Sequence, residues 1–172
     1  MKIRRYSGAG VFLIRYKNER FEVLLGRRST SHGFGQWAIP GGKLEGRDDS
    51  LRDCAFRELK EETGINLKHI QHSVLGRCTK RIPFFLWQTY MVFIWKEEIT
   101  LMPHEFFNLD WVPLEEVNNH DLWISLAIEL KAAGKLLRIH ERDISKTADQ
   151  TFENERYINS WSESEQTSSE KE

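Results

Sequence analysis

Apolar and polar positions form two neighbouring runs near the start of the chain. Residues 9–16 and 21–28 are rich in β-branched and aromatic side chains, and the polar segment KNER separates them. This arrangement predicts a β-hairpin. A shorter run, WAI, ends at Pro40 and two glycines, which predicts a brief strand followed by a glycine turn.

A helical pattern follows the glycine turn. Leu51, Ala55 and Leu59 recur at four-residue spacing and form an apolar stripe. An N-cap at Asp49 or Ser50 and a stop at Gly64 predict a helix that ends at residue 63.

The second half of the chain repeats the alternation of strand and helix. Residues 72–79, 84–95 and 109–114 are strand-like, and the second of these is long enough to be a central strand. Residues 120–134 predict a second helix, with Leu122, Leu126 and Leu130 as its apolar stripe and Gly134 as its stop. Strands interleaved with two helices predict a layered α/β or α+β domain.

Composition limits the number of domains and the class of partner. The chain has 172 residues, which suits one domain, and from about residue 149 it becomes polar and acidic. We therefore predict a folded domain over residues 1–148 and a partly disordered tail over residues 149–172. The 25 Lys and Arg residues against 26 Asp and Glu residues give a net charge of −1, so no long nucleic-acid track is evident.

Two features of the sequence predict a cytoplasmic protein. Cys54 and Cys78 lie in unrelated contexts, which favours a reducing compartment without a disulfide framework. The apolar run near the N-terminus is too short for a signal sequence or a membrane span, so no membrane partner is expected.

Three glutamates are crowded on the first helix. At 100° per residue, Glu58, Glu61 and Glu62 share one face, which borders the apolar stripe. Carboxylates at such a boundary need a counter-charge, and their hard oxygen atoms suit Mg²⁺ or Mn²⁺. Taken alone, the string is better explained by a solvated acidic helix end with Arg57 and Lys60 as neighbours.

The wider context of these glutamates resembles a known family. The segment REL-x-EE-x-GI after a GG turn is similar to the signature of Nudix hydrolases, and LLGRRS, G-x-W-x-x-PGG and WVPLEE extend the resemblance over about residues 9–134. The resemblance implies a three-layer α/β/α sandwich with a mixed β-sheet. It also implies hydrolysis of a nucleoside diphosphate linked to another moiety, with Mg²⁺ as cofactor, for which Mn²⁺ can substitute.

The resemblance assigns roles by position. It implies that Glu58 and Glu62 bind metal directly and that Glu61 is a further ligand or a supporting acid. Arg57 would orient the glutamates, and structural support is its alternative. The Gly41 carbonyl lies at the turn where the family uses a backbone oxygen for metal. Glu58, Glu61 and Arg57, together with Glu105, form the expected catalytic set.

One departure from the family pattern leaves an alternative open. The family places its first acid after five intervening residues from the glycine. Here either Asp48 keeps that spacing to Gly42 and the next interval gains a residue, or Asp49 is the counterpart after six residues. Capping alone explains an acid at this position, so catalysis is assigned to neither aspartate.

Several further residues are candidates. The resemblance implies that Glu105 is a metal ligand or general base, with an exposed loop glutamate as the alternative and His104 as a lesser candidate. Because side chains alternate along a strand, we expect Arg27 or Arg28, but not both, to face the substrate. Base stacking or core packing would explain a set of aromatic residues: Phe34, Trp37, Phe84, Phe85 and Trp87.

The resemblance does not fix the substrate. A (d)NTP or a damaged nucleotide is the leading expectation, because two cues for other substrates are missing or partial. A nucleotide-sugar hydrolase of the GDP-mannose or ADP-ribose type is the alternative enzyme, and a nucleotide-binding module without turnover is the non-enzymatic one. The expected partner is a small-molecule nucleotide, and a homodimer stays open.

Overall fold

The computed structural model describes residues 6–95, 101, 106–123 and 126–139. We number the strands and helices of this part of the chain in order. The strands are β1 (Tyr6–Lys17), β2 (Arg20–Arg28), β3 (Trp37–Ala38), β4 (Gly41–Lys43), β5 (His72–Ile82), β6 (Phe85–Ile94) and β7 (Phe106–Pro113). The helices are α1 (Leu51–Thr63) and α2 (residues 126–139), and short 3₁₀ turns span Leu67–His69 and Val117–Asn119.

The strands form one mixed sheet with β1 near its centre. β1 pairs with β6 in parallel and with β2 and β4 in antiparallel orientation. β2 also pairs with β3 and β7, and β5 pairs with β6 at the other edge. The predicted hairpin is therefore confirmed. The predicted glycine turn is partly strand, because Gly41 and Gly42 pair with Gly10 and Ala9.

Alternation along β1 divides the core between the two faces of the sheet. Ala9, Val11 and Leu13 are fully buried in the cluster that also contains Ala55 and Leu59 of α1. On the other face, the buried Thr89 of β6 hydrogen-bonds Glu129 of α2. The sheet thus lies between two helices, which confirms the predicted three-layer α/β/α fold.

The ends of α1 follow from its sequence. The Ser50 hydroxyl accepts a hydrogen bond from the Asp53 amide at 3.2 Å, so Ser50 rather than Asp49 is the N-cap. Gly64 ends the helix in the left-handed conformation, with φ of 77°, and donates its amide to the Lys60 carbonyl. These caps set which residues of α1 reach the glycine-rich strand β4.

The second helix differs from its prediction at both ends. Leu122 is not helical, because it forms a parallel bridge with Trp37. Gly134 lies inside α2, which continues to residue 139. The buried positions of α2 are Leu126, Glu129, Ala133 and Leu137, a continuous helical stripe. Burial of this stripe outweighs the cost of about 1 kcal/mol for a glycine within a helix.

The chain divides into two compact units, Met1–Leu136 and Leu137–Glu172. The site described below lies in the first unit. The predicted boundary between residues 148 and 149 and the predicted tail lie outside the described residues. Within the described ranges, no helix combines the length and the apolar character that a membrane crossing requires.

Candidate active site

The C-terminal part of α1 meets β4 through a buried carboxylate. Glu62 is only 7% exposed, and its Oε2 accepts a hydrogen bond from the Gly41 amide at 2.7 Å. A buried carboxylate is stable only when hydrogen bonds or charges compensate for the lost hydration. The contact therefore fixes Glu62 beside the glycine pair, where it lines a cavity.

Glu58 approaches the next residue of the same strand. A Cβ atom on Gly42 would lie 2.5 Å from the carboxyl carbon of Glu58 and 2.5 Å from its Oε1. Only glycine leaves room for the carboxylate in this position. Glu58 and Glu62, one helical turn apart, therefore both place their carboxylates against the Gly41–Gly42 backbone.

Arg57 connects Glu58 and Glu61 to a third acid. Its Nη1 lies 2.8 Å from Glu58 Oε1 and 2.8 Å from Glu61 Oε2. Its Nε and Nη2 donate to the two carboxylate oxygens of Asp48 at 2.8 and 2.9 Å. The hydrogen bonds to Asp48, followed by those to the two glutamates, hold the pKa of Arg57 above its usual value. We call Asp48, Arg57, Glu58, Glu61 and Glu62 the acid cluster.

The structure decides between the two candidate aspartates. Asp48 is 3% exposed and forms the bidentate pair with Arg57, whereas Asp49 is exposed. Hydrogen bonds from Arg57 lower the pKa of Asp48 to about 2. Asp48 is therefore the aspartate that joins Arg57 and the glutamates, whereas Asp49 lies outside this cluster.

Exposure differs among the three glutamates. Glu61 is 44% exposed and also pairs with Arg47, whose Nη2 lies 3.0 Å from Glu61 Oε1. Glu58 is 14% exposed, and Glu62 is the most buried. Glu61 thus lies on the solvent side of the acid cluster, while Glu58 and Glu62 lie against β4.

The donor set suits a hard divalent cation. The carboxylate oxygens of Glu58 and Glu62 lie beside two adjacent residues of β4, Gly42 and Gly41. Carboxylate oxygens are the ligands that Mg²⁺ and Mn²⁺ prefer. Among the described residues, however, no group of three or more acids, histidines or cysteines is spaced as a ready metal site. Arg57 contacts two of the three glutamates of the cluster in this arrangement.

Cys54 lies beside the acid cluster but is not a reactive thiol. It is buried, its sulfur is 3.7 Å from the Gly42 carbonyl oxygen, and burial raises its pKa to about 11. The thiol is therefore protonated at neutral pH, which excludes it as a nucleophile there.

A cavity of about 540 Å³ extends from β4 along the face of the sheet that carries α2. This volume suits a nucleotide-sized ligand. Charged side chains at its wall are Arg28, Glu62, Lys80 and Glu129. Its aromatic residues are Tyr6, Phe85, Trp87, Phe106 and Trp123.

The two predicted arginines have different positions. Arg28 lines the cavity, donates to the His32 carbonyl at 3.0 Å and stacks over the Trp123 ring at 4.7 Å. The Arg27 Nε instead donates to the Gly35 carbonyl at 3.1 Å. The register of β2 against β7 shifts between these two residues. Arg28 is thus the one placed to meet a ligand in the cavity.

Only some of the aromatic candidates line the cavity. Phe85 and Trp87 line the cavity. Trp37 packs edge-to-face on His120, with ring centroids 5.0 Å apart, and does not line the cavity. Phe34 is 66% exposed and packs on Phe107. The role assigned to Trp37 therefore stays a prediction without a contact to support it, and Glu105 and His104 lie outside the described residues.

Sequence reasoning named Trp87 but missed Thr89, Trp123 and Glu129, which surround it. The Trp87 Nε1 donates to Thr89 Oγ1 at 3.0 Å, and the Thr89 hydroxyl donates to Glu129 Oε1 at 2.8 Å. Glu129 is 1% exposed. We call Trp87, Thr89, Trp123 and Glu129 the aromatic wall. One signal was available, since Glu129 lies three residues after Leu126 on an otherwise apolar helix face.

Comparison with known proteins decides the family. Residues 4–131 match the NUDIX domain. The chain belongs to the Nudix family. Four members of the acid cluster lie on α1, the helix that carries the Nudix signature, and the residues that line the cavity belong to the same matched segment. The three-layer fold is also the one that the signature implied.

Solved Nudix structures share this fold. A Nudix hydrolase from M. Smegmatis, RenU, has a TM-score of 0.64 at 22% identity, with 78% of this chain and 87% of that chain covered. The NUDIX domain of Shewanella oneidensis NrtR, complexed with ADP ribose, has a TM-score of 0.62 at 21% identity, with coverage of 77% and 88%.

Curated relatives are matched over shorter segments. The m7GpppN-mRNA hydrolase NUDT17 of Xenopus laevis is 39% identical over 64 residues, which are 36% of this chain and 21% of that protein. Matches to five curated relatives cover between 19% and 42% of the relatives' own lengths. The chain thus spans less than half of each of them.

Proposed function

We propose that the protein is a Mg²⁺-dependent Nudix hydrolase that cleaves a pyrophosphate bond in a nucleoside diphosphate linked to another moiety. The observation that carries this proposal is the convergence of Glu58 and Glu62 on the Gly41–Gly42 backbone beside the cavity. Two carboxylates at the edge of a nucleotide-sized cavity would hold a cation next to bound phosphates.

Each member of the acid cluster has a distinct task in this proposal. Glu58 and Glu62 would bind the cation, and the Gly41 carbonyl is the proposed backbone ligand. When bound, a divalent cation screens the charge of the pyrophosphate and increases the acidity of the attacking water. Arg57 orients Glu58 and Glu61 through its hydrogen bonds, while Asp48 holds Arg57 from the other side.

Cationic side chains at the cavity complement the substrate. Arg28 and Lys80 line the cavity and suit the phosphates of a nucleotide. Arg27 and Trp37 are also candidate substrate-binding residues. They do not line the cavity, so they would contact only a part of the substrate that extends out of it. We retain Glu105 as a proposed metal ligand or general base on the resemblance alone.

The leading substrates are a (d)NTP or a damaged nucleotide. A nucleotide-sugar or ADP-ribose-type substrate is the alternative, supported by the fold shared with the NrtR domain that binds ADP ribose. The proposed partner is thus a small nucleotide. The proposed location is the cytoplasm, where Cys54 and Cys78 would remain free thiols, as they are in the structure. The predicted homodimer stays a prediction.

A substrate panel tests the proposal. We expect the protein to hydrolyse at least one member of a set of dNTPs, NTPs, oxidised guanine nucleotides, ADP-ribose and nucleotide sugars with Mg²⁺ or Mn²⁺, and EDTA to abolish the reaction. Glu58→Gln or Glu62→Gln should lower kcat by a factor on the order of 10³ or more, because ligand charge is lost while volume is kept.

Glu115→Gln is the matched control, since Glu115 is exposed and lies outside the cavity. It should retain the wild-type rate and the same melting temperature. If Glu62→Gln kept more than about a tenth of the wild-type rate at saturating Mg²⁺, the assigned metal site would be wrong.

A further inference from the structure

A buried carboxylate faces the cavity from the helix opposite the acid cluster. Glu129 is 1% exposed and lines the cavity, although it lies on the apolar face of α2. Burial of an ionised carboxylate is costly even when it is hydrogen-bonded, and an apolar side chain of similar size is often more stabilising. Its position therefore calls for an explanation beyond packing.

A relay of hydrogen bonds fixes the orientation of this carboxylate. Trp87 donates to Thr89 at 3.0 Å, and Thr89 donates to Glu129 Oε1 at 2.8 Å. Because a threonine hydroxyl has a single proton, its donation to Glu129 defines the direction of the relay. Glu129 is thus held as an acceptor in the aromatic wall.

Trp87 also connects Glu129 to the acid cluster. A Cβ atom on Gly8 would lie 2.8 Å from the Trp87 ring and 2.5 Å from the Gly42 carbonyl oxygen. The Trp87 indole, on β6, therefore packs over Gly8 beside the Gly42 carbonyl, and its Nε1 reaches Thr89. Because Gly42, Trp87 and Glu129 line the same cavity, a nucleotide with its phosphates beside Gly42 could place its base beside Trp87 and Glu129.

The chemistry of Glu129 selects among bases. An ionised carboxylate only accepts hydrogen bonds, and its two oxygens match two adjacent N–H donors. The Watson–Crick edge of guanine presents N1–H and an exocyclic N2 amino group side by side. Adenine and cytosine offer one donor next to an acceptor, and uracil and thymine offer one donor between two carbonyl groups.

We propose that Glu129 is a specificity residue that binds the N1–H and N2–H₂ edge of a guanine base in the cavity, an inference that rests on the proposed function. Guanine, 8-oxoguanine and 7-methylguanine share this edge, so the assignment covers an ordinary, an oxidised or a cap-type guanine nucleotide. Trp87 and Trp123 would supply the apolar and aromatic surroundings of the base.

Inosine nucleotides provide the matched ligand, because hypoxanthine lacks only the N2 amino group. We expect the wild-type protein to bind GDP about 10- to 100-fold more tightly than IDP, as measured by calorimetry in EDTA. Glu129→Gln should reduce this ratio to within about threefold, because the amide replaces one acceptor with a donor. Glu115→Gln should keep the wild-type ratio.

The assay separates this proposal from the proposed function, since binding in EDTA requires no turnover. Equal affinity of the wild-type protein for GDP and IDP would overturn the role of Glu129, even if Glu129→Gln failed to fold. An unchanged ratio in a folded Glu129→Gln would do the same. Hydrolysis of dGTP, 8-oxo-dGTP and 7-methyl-GTP then distinguishes the three guanine sources. Hydrolysis of no member of the full substrate panel, with a preserved GDP preference, would contradict the proposed function alone.

Discussion

The acid cluster and the aromatic wall face one cavity but are encoded in different ways. Four of the five members of the acid cluster lie within a six-residue segment, and Asp48 lies nine residues before Arg57. The aromatic wall combines Trp87 and Thr89 of β6 with Trp123 and Glu129, more than thirty residues later. The first is therefore visible as a motif, whereas the second exists only after folding.

The two regions also differ in the burial of their carboxylates and in the hydrogen-bond donors described for them. Arg57 contacts three acids of the cluster at 2.8 to 2.9 Å, close to solvent. Glu129 is buried and accepts from a neutral hydroxyl. The positive charge of Arg57 favours the ionised form of these acids, which a cation ligand requires, while a buried acceptor suits recognition of N–H groups. The comparison predicts that one region controls rate and the other controls base selectivity.

Gly42→Ala should have the largest effect that is confined to one of the two regions, the acid cluster. The added methyl would lie 2.5 Å from the Glu58 carboxyl carbon and would displace a flexible side chain rather than backbone. We expect kcat to fall by about 100- to 1000-fold with little change in melting temperature, because a metal ligand moves while the core stays intact.

Gly46→Ala is the control for this substitution, since a Cβ at Gly46 meets no atom within 4 Å. The ratio of GDP to IDP affinity should be unchanged in both variants. A Gly42→Ala protein with the wild-type rate would show that the position of Glu58 does not matter for turnover.

Glu105→Gln tests whether the acid cluster needs a residue from elsewhere in the chain. If Glu105 is a ligand or base, kcat should fall by about 10- to 1000-fold with a much smaller change in KM. Steady-state kinetics across Mg²⁺ concentrations measure this effect. A rate and metal dependence within about twofold of wild type would instead identify an exposed loop glutamate.

Substitutions at Thr89 probe the aromatic wall with a smaller effect. Thr89→Val removes the hydroxyl that donates to Glu129 and accepts from Trp87. We expect the preference for GDP over IDP to fall by about three- to tenfold, because Glu129 loses its orientation. Thr89→Ser keeps the hydroxyl and should keep the preference. If calorimetry found the same preference for GDP over IDP in both variants, the hydrogen-bond relay would have no role in base recognition.

The pair of Asp48 and Arg57 should have the smallest effect, confined to acidic pH. Because the pKa of Asp48 is lowered to about 2, its contribution to stability is present above its ordinary pKa of 3.8 and is lost as pH falls towards 2. Asp48→Asn should weaken the pH dependence of the unfolding free energy in this window. Denaturant unfolding between pH 2 and 5 measures it, and an identical dependence in both proteins would refute the pairing.

Local patterns predicted much of the fold. Ser50 and Gly64 are capping residues, and α1 begins and ends beside them. The boundaries of α2 were wrong because the bridge of Leu122 to Trp37 and the burial of α2 depend on distant residues. Local propensity contains no information about such partners.

The candidate site was predictable to a similar extent. The glutamates share a helix face, which follows from helical geometry, but their different burial depends on where β4 lies. Strand alternation predicted that one of Arg27 and Arg28 would face the substrate, and only the folded chain places Arg28 at the cavity. Glu129 required the opposite helix to be in place.

Mn²⁺ titration followed by electron paramagnetic resonance tests the central claim most directly, because it measures cation binding without a substrate. We expect Glu62→Gln and Glu58→Gln to weaken binding by about tenfold or more, and the more exposed Glu61→Gln to have a smaller effect. Equal Mn²⁺ affinity in the wild type and in both Glu58→Gln and Glu62→Gln would contradict the account, because the acid cluster would then not hold the cation.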